Sequence, residues 1–329
     1  MNPALSLVFF TVASGAGLGL SVWLVLAQWG WAAASGSVPG AGAASAGPAL
    51  SGELMAWAGA LSLALVVLGL LSSTRHLANP RNAWRSLARV RTSWLSREAL
   101  CALLWLPLAL GHALLSVSPS GVTALTGAAL FLLSLLTVVC TAMIYACLRT
   151  VPRWRSWHTP VIFLLQALLA GGLLWATVRA ALSPAAGLPS GGLLVSLCAL
   201  TFTVTLLYYA KFSQRLTATL NEALGVPMKA PAGHVQGTVR LLDTGHAHRT
   251  FLTQEFGFVL AREQAQRLRT LMALLTAGVP MLLLLLAPPV FPVLAAATVS
   301  FLAGALVQRW LFFAQAEHVV RLYHGQPRV

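Results

Sequence analysis

Apolar positions run along this chain in long blocks separated by short polar segments. Eight such blocks stand out, near 5–29, 54–74, 98–118, 123–147, 160–182, 190–210, 270–287 and 291–315. An α-helix rises about 1.5 Å per residue, so roughly 20 apolar residues cross the ~30 Å hydrocarbon core of a bilayer. The pattern therefore predicts an all-α integral membrane protein with eight transmembrane helices, forming a single polytopic domain over 1–329. The last two blocks are parted only by Ala287-Pro288-Pro289. Two spans joined by a tight turn and one kinked or re-entrant element both fit there. The longest polar segment, 211–269, reads as a loop with one or two short helices. The 30–52 connection is rich in glycine and small residues, as a loosely packed external loop would be. No basic residue precedes the first apolar run and no small-residue cleavage site follows it, so that span is expected to be retained.

Charge decides the orientation. Of the 21 Lys and Arg residues, six lie in 75–97, three in 149–155 and eight in 211–269. The alternate connections, 30–53, 119–122, 183–189 and 287–290, contain none. Basic loops stay in the cytoplasm, so with an even number of spans both termini are expected there too. Arg321 and Arg328 in the C-terminal tail agree, and Arg309 is expected to reach the same face by snorkelling. Arg179, near the outer end of its span, is the one residue against. The formal charge of +14 would suggest nucleic acid in a soluble protein. In a chain that is 58% hydrophobic and only 9% charged, with mean hydropathy +0.79, it points instead to loops facing lipid and a partner protein, and to no nucleic acid. The 75–97 segment is then a cytoplasmic interfacial loop. The 211–269 segment is a cytoplasmic docking loop, with Arg240, Arg249 and Arg262 as its docking residues.

The chain holds little metal chemistry. Its cysteines, Cys101, Cys140, Cys147 and Cys198, sit in apolar segments with no CxxC spacing, which predicts no disulfide and no iron–sulfur cluster in this chain. Transmembrane haem needs histidines paired on facing helices. Only His112 lies well inside a span, and no intramembrane partner is evident for it, so no haem is expected. His246 and His248 with Asp243 lack a third ligand at helical spacing and read as solvated surface. Gly15, Gly17 and Gly19 have the look of a nucleotide loop, but they lie inside the first span, where close helix packing explains them better. No metal site, serine–histidine–acid set or phosphate-binding loop is found.

The stretch HLANPRNAWRSLARVRTSWLSREAL, 76–100, is different. Asn79-Pro80 reads as a helix N-cap with proline at the first helical position. Arg81, Arg85 and Arg89 then recur every four residues, predicting a short amphipathic helix in the interface. His76 closes the second span and Glu98 opens the third, which brings a titratable imidazole and a carboxyl to one depth. Quinone chemistry moves protons with electrons, and each ring oxygen needs a partner able to exchange a proton. His76 and Glu98 are the candidate quinone-binding and proton-exchange residues, supported by Arg91 and by Trp94 at headgroup level. Simpler roles remain open: His76 as the partner of a helix-end carbonyl, and Glu98 as a counter-charge to the arginines or the helix N-terminus.

Three stretches together resemble the membrane anchor subunit of the dimethyl sulfoxide reductase family of complex iron–sulfur molybdoenzymes. They are MNPALSLVFFTVASGAGLGL, HLANPRNAWRSLARVRTSWLSRE and GTVRLLDTGHAHRTFLTQEFGFVLARE. The closest branch is the one that includes the anchors of quinone-linked sulfite dehydrogenases. The resemblance implies an anchor in the bacterial cytoplasmic membrane that binds no haem. It would exchange electrons between menaquinone or ubiquinone and an iron–sulfur subunit, which in turn serves a molybdopterin catalytic subunit. It also implies a quinol site on His76 and Glu98. The long 30–52 loop and glycine at 245 depart from the family pattern. A passive anchor without a quinone site remains a rival reading. A transporter is a second rival, one that would place charges at mid-membrane and show internal repeats.

Overall fold

The computed structural model describes residues 4–34, 52–75, 80–115, 121–182, 191–213, 220–224 and 264–324. All eight apolar blocks are helices. They are α1 Leu5–Ala34, α2 Gly52–Thr74, α3 Trp94–Leu115, α4 Gly121–Ala146, α5 His158–Leu182, α6 Gly191–Ser213, α7 Ala265–Leu286 and α8 Phe291–Ala314. Each contains a stretch long and apolar enough to cross a membrane, and the described residues include no strand. The chain is an all-α, multi-pass membrane protein. Between α7 and α8 the backbone is extended, at φ −112°, ψ 150° for Ala287 and φ −91°, ψ 159° for Val290. The two helices pack on each other, so the double proline is a turn between two spans.

The bundle is built around α1, which packs against α2, α4, α5 and α8. Helices in lipid gain no hydrophobic drive from touching one another, so close van der Waals contact must hold them. The glycines supply it. A Cβ on Gly19 would overlap the Ala167 carbonyl of α5, and one on Gly171 would overlap the backbone of Gly19. On the α2 side, a Cβ at Gly17 would sit 2.7 Å from the Ser62 carbonyl oxygen. Gly15 is not under the same constraint, since a methyl there would make an ordinary 3.8 Å contact.

A thread of hydroxyls ties the first four helices together. Trp105 Nε1 of α3 donates to Ser134 Oγ of α4 at 2.8 Å, and Ser134 reaches Ser21 of α1 at 3.5 Å. Ser21 and Ser62 of α2 lie 3.2 Å apart, and Ser62 donates to the Gly17 carbonyl at 2.8 Å. His112 adds a second tie, although the sequence shows no evident intramembrane partner for it. Its Nε2 lies 3.0 Å from Gln28 Oε1 and its Nδ1 3.1 Å from Thr126 Oγ1. Gln28 comes from α1 and Thr126 from α4, and Gly127 leaves room for the ring, since a Cβ there would sit 3.3 Å from it.

Proline leaves a local trace in α7. Residues Leu274–Gly278 form a π-helical turn just before Pro280, which has no N–H to offer the preceding turn. Neighbouring helices take over the freed carbonyls. Ser300 Oγ donates to the Leu275 carbonyl at 3.0 Å, and Cys198 Sγ to that of Thr276 at 3.6 Å.

Paired contacts fix the helix directions. Ser72 at the end of α2 donates to the Ser6 carbonyl at the start of α1, and Arg269 at the start of α7 reaches Gln315 just past α8. One end of the bundle therefore collects the starts of α1, α3, α5 and α7 and the ends of α2, α4, α6 and α8. It is the end that carries the basic segments among the described residues, and we call it the basic end.

Candidate functional site at the basic end

The segment leading into α3 departs from the expected amphipathic α-helix. Pro80–Arg89 is a 3₁₀ helix, followed by a turn over 90–92. With about three residues per turn, Arg81, Arg85 and Arg89 spread around the axis instead of lining one stripe. Arg97 fastens the turn to α3. Its Nε donates to the Val90 carbonyl at 2.9 Å and its Nη2 to the Arg91 carbonyl at 2.8 Å, while its guanidinium lies 4.2 Å from the Trp94 ring centroid. Arg91 itself is exposed and gives this cluster only its backbone oxygen. Arg97, which in the sequence is only one more loop charge, is the residue that ties this turn to α3.

Helix α3 begins at Trp94, so Glu98 lies a full turn inside the span rather than at its opening. It is buried, at 6% exposure, while Leu95 and Leu103 on the same helix are exposed. Its carboxylate faces α4, where Thr141 Oγ1 donates to Oε1. Thr141 can also donate to the Thr137 carbonyl at 3.0 Å, so its one proton has two acceptors. Among the described residues no ion pair reaches Glu98. The neighbouring Arg97 is committed to the loop carbonyls. Burying a carboxylate in apolar surroundings is costly unless it is paired, and here one neutral hydroxyl supports it. Glu98 is the only acid deep in a described span, since Glu53 sits in the first turn of α2.

Beside Thr141 lies a cavity of about 20 Å³ lined by α1, α4, α5 and α8. Thr141, Gln166 and Arg309 face it, with Phe163 forming part of the wall. Arg309 corrects a sequence expectation. It does not snorkel to the surface but is 3% exposed, stacked 3.3 Å from the Phe163 ring centroid. The aromatic residues Tyr145, Trp154, Phe163, Phe312 and Phe313 pack around this region and close the outward path its long side chain would need. The Trp154 indole donates to the Phe312 carbonyl at 3.0 Å, locking the α4–α5 connection over the end of α8.

Of the other sequence candidates, His76 lies outside the described residues, as do Arg240, Arg249, Arg262, Asp243, His246 and His248. Thr141, Gln166 and Arg309 do not stand out as site residues in the sequence. The available signal was a polar residue on each of α4, α5 and α8 at the depth of Glu98, visible only once the helices are aligned by direction.

The fold and site together define an eight-helix integral membrane protein with a buried carboxyl beneath a strongly basic face. The sequence profile of the DMSO reductase anchor subunit family, DmsC, matches residues 1–314. A sulfite dehydrogenase subunit from Allochromatium vinosum is 32% identical, the alignment covering 98% of this chain and 99% of that protein. The chain belongs to the DMSO reductase anchor subunit family.

Proposed function

We propose that this chain is the quinone-interacting membrane anchor of a molybdopterin oxidoreductase in a bacterial inner membrane. It exchanges electrons between the quinone pool and an iron–sulfur partner docked on its basic, cytoplasmic face. Family membership and the sulfite dehydrogenase relative support the anchor role. The observation that carries the quinone reading is Glu98: the one carboxyl deep in a described span, held by a single hydroxyl and free of any described ion pair. Such a group can take and give a proton where a structural counter-charge would be committed to an arginine. In this reading Glu98 and His76, the residue that follows the second apolar block in the sequence, exchange protons with the quinone oxygens, and the electrons leave through the partner. α2 and α3 touch each other little compared with α1–α2 or α3–α4, which favours their seam as the entry for a lipid-borne ring.

Glu98→Gln tests this. Glutamine keeps the size and accepts the Thr141 bond but carries no exchangeable acid proton. The complex should assemble, and its partner subunits should still turn over with an artificial dye. Quinone-linked turnover should fall by about 10²–10⁴-fold, the usual worth of a positioned acid or base. If Glu98 is only structural, as the passive-anchor reading requires, dye-linked and quinone-linked activities will instead fall together through poor assembly, or neither will change.

A further inference from the structure

The buried side-chain atoms without a hydrogen-bond partner among the described residues are not scattered. They are Gln166 Oε1, Tyr209 OH, Arg269 Nε, Gln308 Oε1, and Nε and Nη1 of Arg309. All belong to α5–α8, and all lie in the half of the bundle nearer the basic end. Buried polar groups are almost always satisfied, by protein or by ordered water. A cluster of unsatisfied ones marks a place that water serves.

The cavity beside Thr141 meets the physical requirements for water. Its volume of about 20 Å³ exceeds the roughly 10–15 Å³ that one water needs, along with two to four polar partners. Thr11, Ser14, Thr141, Gln166 and Arg309 are the polar residues that line it, and Gln166 and Arg309, 5% and 3% exposed, carry unsatisfied atoms. Beyond it, Tyr145 lies within electrostatic reach of both Glu98 and Arg309. Closer to the surface, Arg269 sits 4.8 Å from the Tyr209 ring centroid, and Arg269 and Arg153 converge on Gln315 Oε1 at 3.3 and 3.2 Å.

We propose that the cavity is a water site and forms the middle of a proton path. The path runs from Glu98 through the Thr141 hydroxyl, past Gln166 and Arg309, toward Tyr209, Arg269 and Gln315 at the basic end. The proposal rests on the reading that Glu98 exchanges protons with a quinone. In the outward step the Glu98 carboxyl gives its proton to Thr141 Oγ1 while the hydroxyl's own proton passes to the water oxygen. The water then passes one proton by way of the Tyr209 hydroxyl to bulk solvent at the basic end, so each group ends with the protons it began with except Glu98, which is left ionised. Reversal reloads it. Arg309 orients the water, drawing its oxygen and leaving the hydrogens for Gln166 Oε1. Its positive charge, which can accept no proton, holds the water without taking part in the relay. Stacking on Phe163 fixes that charge in place.

Two measurements on the purified complex test this, with Glu98→Gln as the reference. A structure at a resolution that orders water should place density in the cavity within hydrogen-bond distance of Gln166 Oε1 and Arg309; a dry cavity overturns the proposal. In kinetics, Gln166→Leu and Thr141→Val, both close in volume to the native residues, should lower the ratio of quinone-linked to dye-linked turnover at least about tenfold. They should also raise the solvent deuterium isotope effect on the quinone-linked rate, whereas Thr141→Ser, which restores the hydroxyl, should return both to wild type. Normal ratios in Gln166→Leu and Thr141→Val alongside a defective Glu98→Gln would overturn the path and leave the Glu98 reading standing. A fully active Glu98→Gln would remove that reading and the path with it.

Discussion

Gly19→Ala should destabilise this bundle where Gly15→Ala, one turn away on the same helix, should not. At Gly19 the new methyl collides with the Ala167 carbonyl, which is backbone and cannot rotate aside; at Gly15 it meets the Ala167 methyl at 3.8 Å. Relief at Gly19 requires α1 and α5 to part by roughly an ångström. A gap of that size forfeits about a quarter to a half of each contact along the seam, and each atom pair is worth only ~0.15 kcal/mol. Roughly thirty pairs among Ala16, Leu20, Ala167, Ala170 and their neighbours would then lose about 1.5 kcal/mol. The 2.8 Å bond from Trp23 Nε1 to the Leu168 carbonyl crosses the same seam, and its weakening adds about 0.6 kcal/mol. The expected loss is about 2 kcal/mol, inside the ~1–3 kcal/mol typical of overpacking, against less than about 0.5 kcal/mol for Gly15→Ala. Reversible unfolding in mixed detergent micelles, followed by tryptophan fluorescence, measures both. Equal midpoints for the two variants would refute the claim that backbone contact at Gly19 holds the core.

His318 and the basic loops carry two further expectations. His318 Nδ1 accepts the Val320 N–H at 3.0 Å, which requires an unprotonated nitrogen, and partial burial pushes its pKa below the ordinary value of about 6.5. The unfolded chain then binds more protons, so the group's contribution is complete above about pH 6.5 and is lost as pH falls through the lower folded value. Amide exchange in Val319–His324, corrected for intrinsic rate, should accelerate between about pH 7.5 and 5.5; unchanged protection would count against it. Neutralising Arg240, Arg249 and Arg262 together should release the proposed iron–sulfur partner from membranes at lower salt, since charges at the rim of an interface mainly steer association. Retention that is unaltered across a salt titration would assign those residues to lipid.

The spans were legible because membrane helices write themselves as uninterrupted apolar runs, and the glycines of the first span signalled close packing as soon as the segment was read as membrane-embedded. Glu98 stood out because carboxyls are so scarce here. What sits around it did not. Thr141 looks like any threonine bonding its own helix, and only the antiparallel packing of α3 and α4 aims it at Glu98. Arg309 is five residues from the end of α8, near enough to the surface for snorkelling on sequence grounds; the aromatic cluster that blocks its exit comes from α4, α5, the connection between them and the end of α8 itself. The 3₁₀ geometry of Pro80–Arg89 was hidden because arginines four apart imitate an α-helical stripe. The π-turn in α7 depends on whether neighbours such as Ser300 and Cys198 can satisfy freed carbonyls, a tertiary fact that no local pattern records.

The most direct test of the account is a single-turnover one. The assembled complex is mixed rapidly with a soluble quinol, and the iron–sulfur clusters of the partner are followed by electron paramagnetic resonance. The account predicts that quinol reduces the clusters when this chain is wild type. With Glu98→Gln the reaction should be slower by at least about 10²-fold, although dithionite still reduces the same clusters fully. Clusters that never respond to quinol, or that respond equally fast in both proteins, would contradict it.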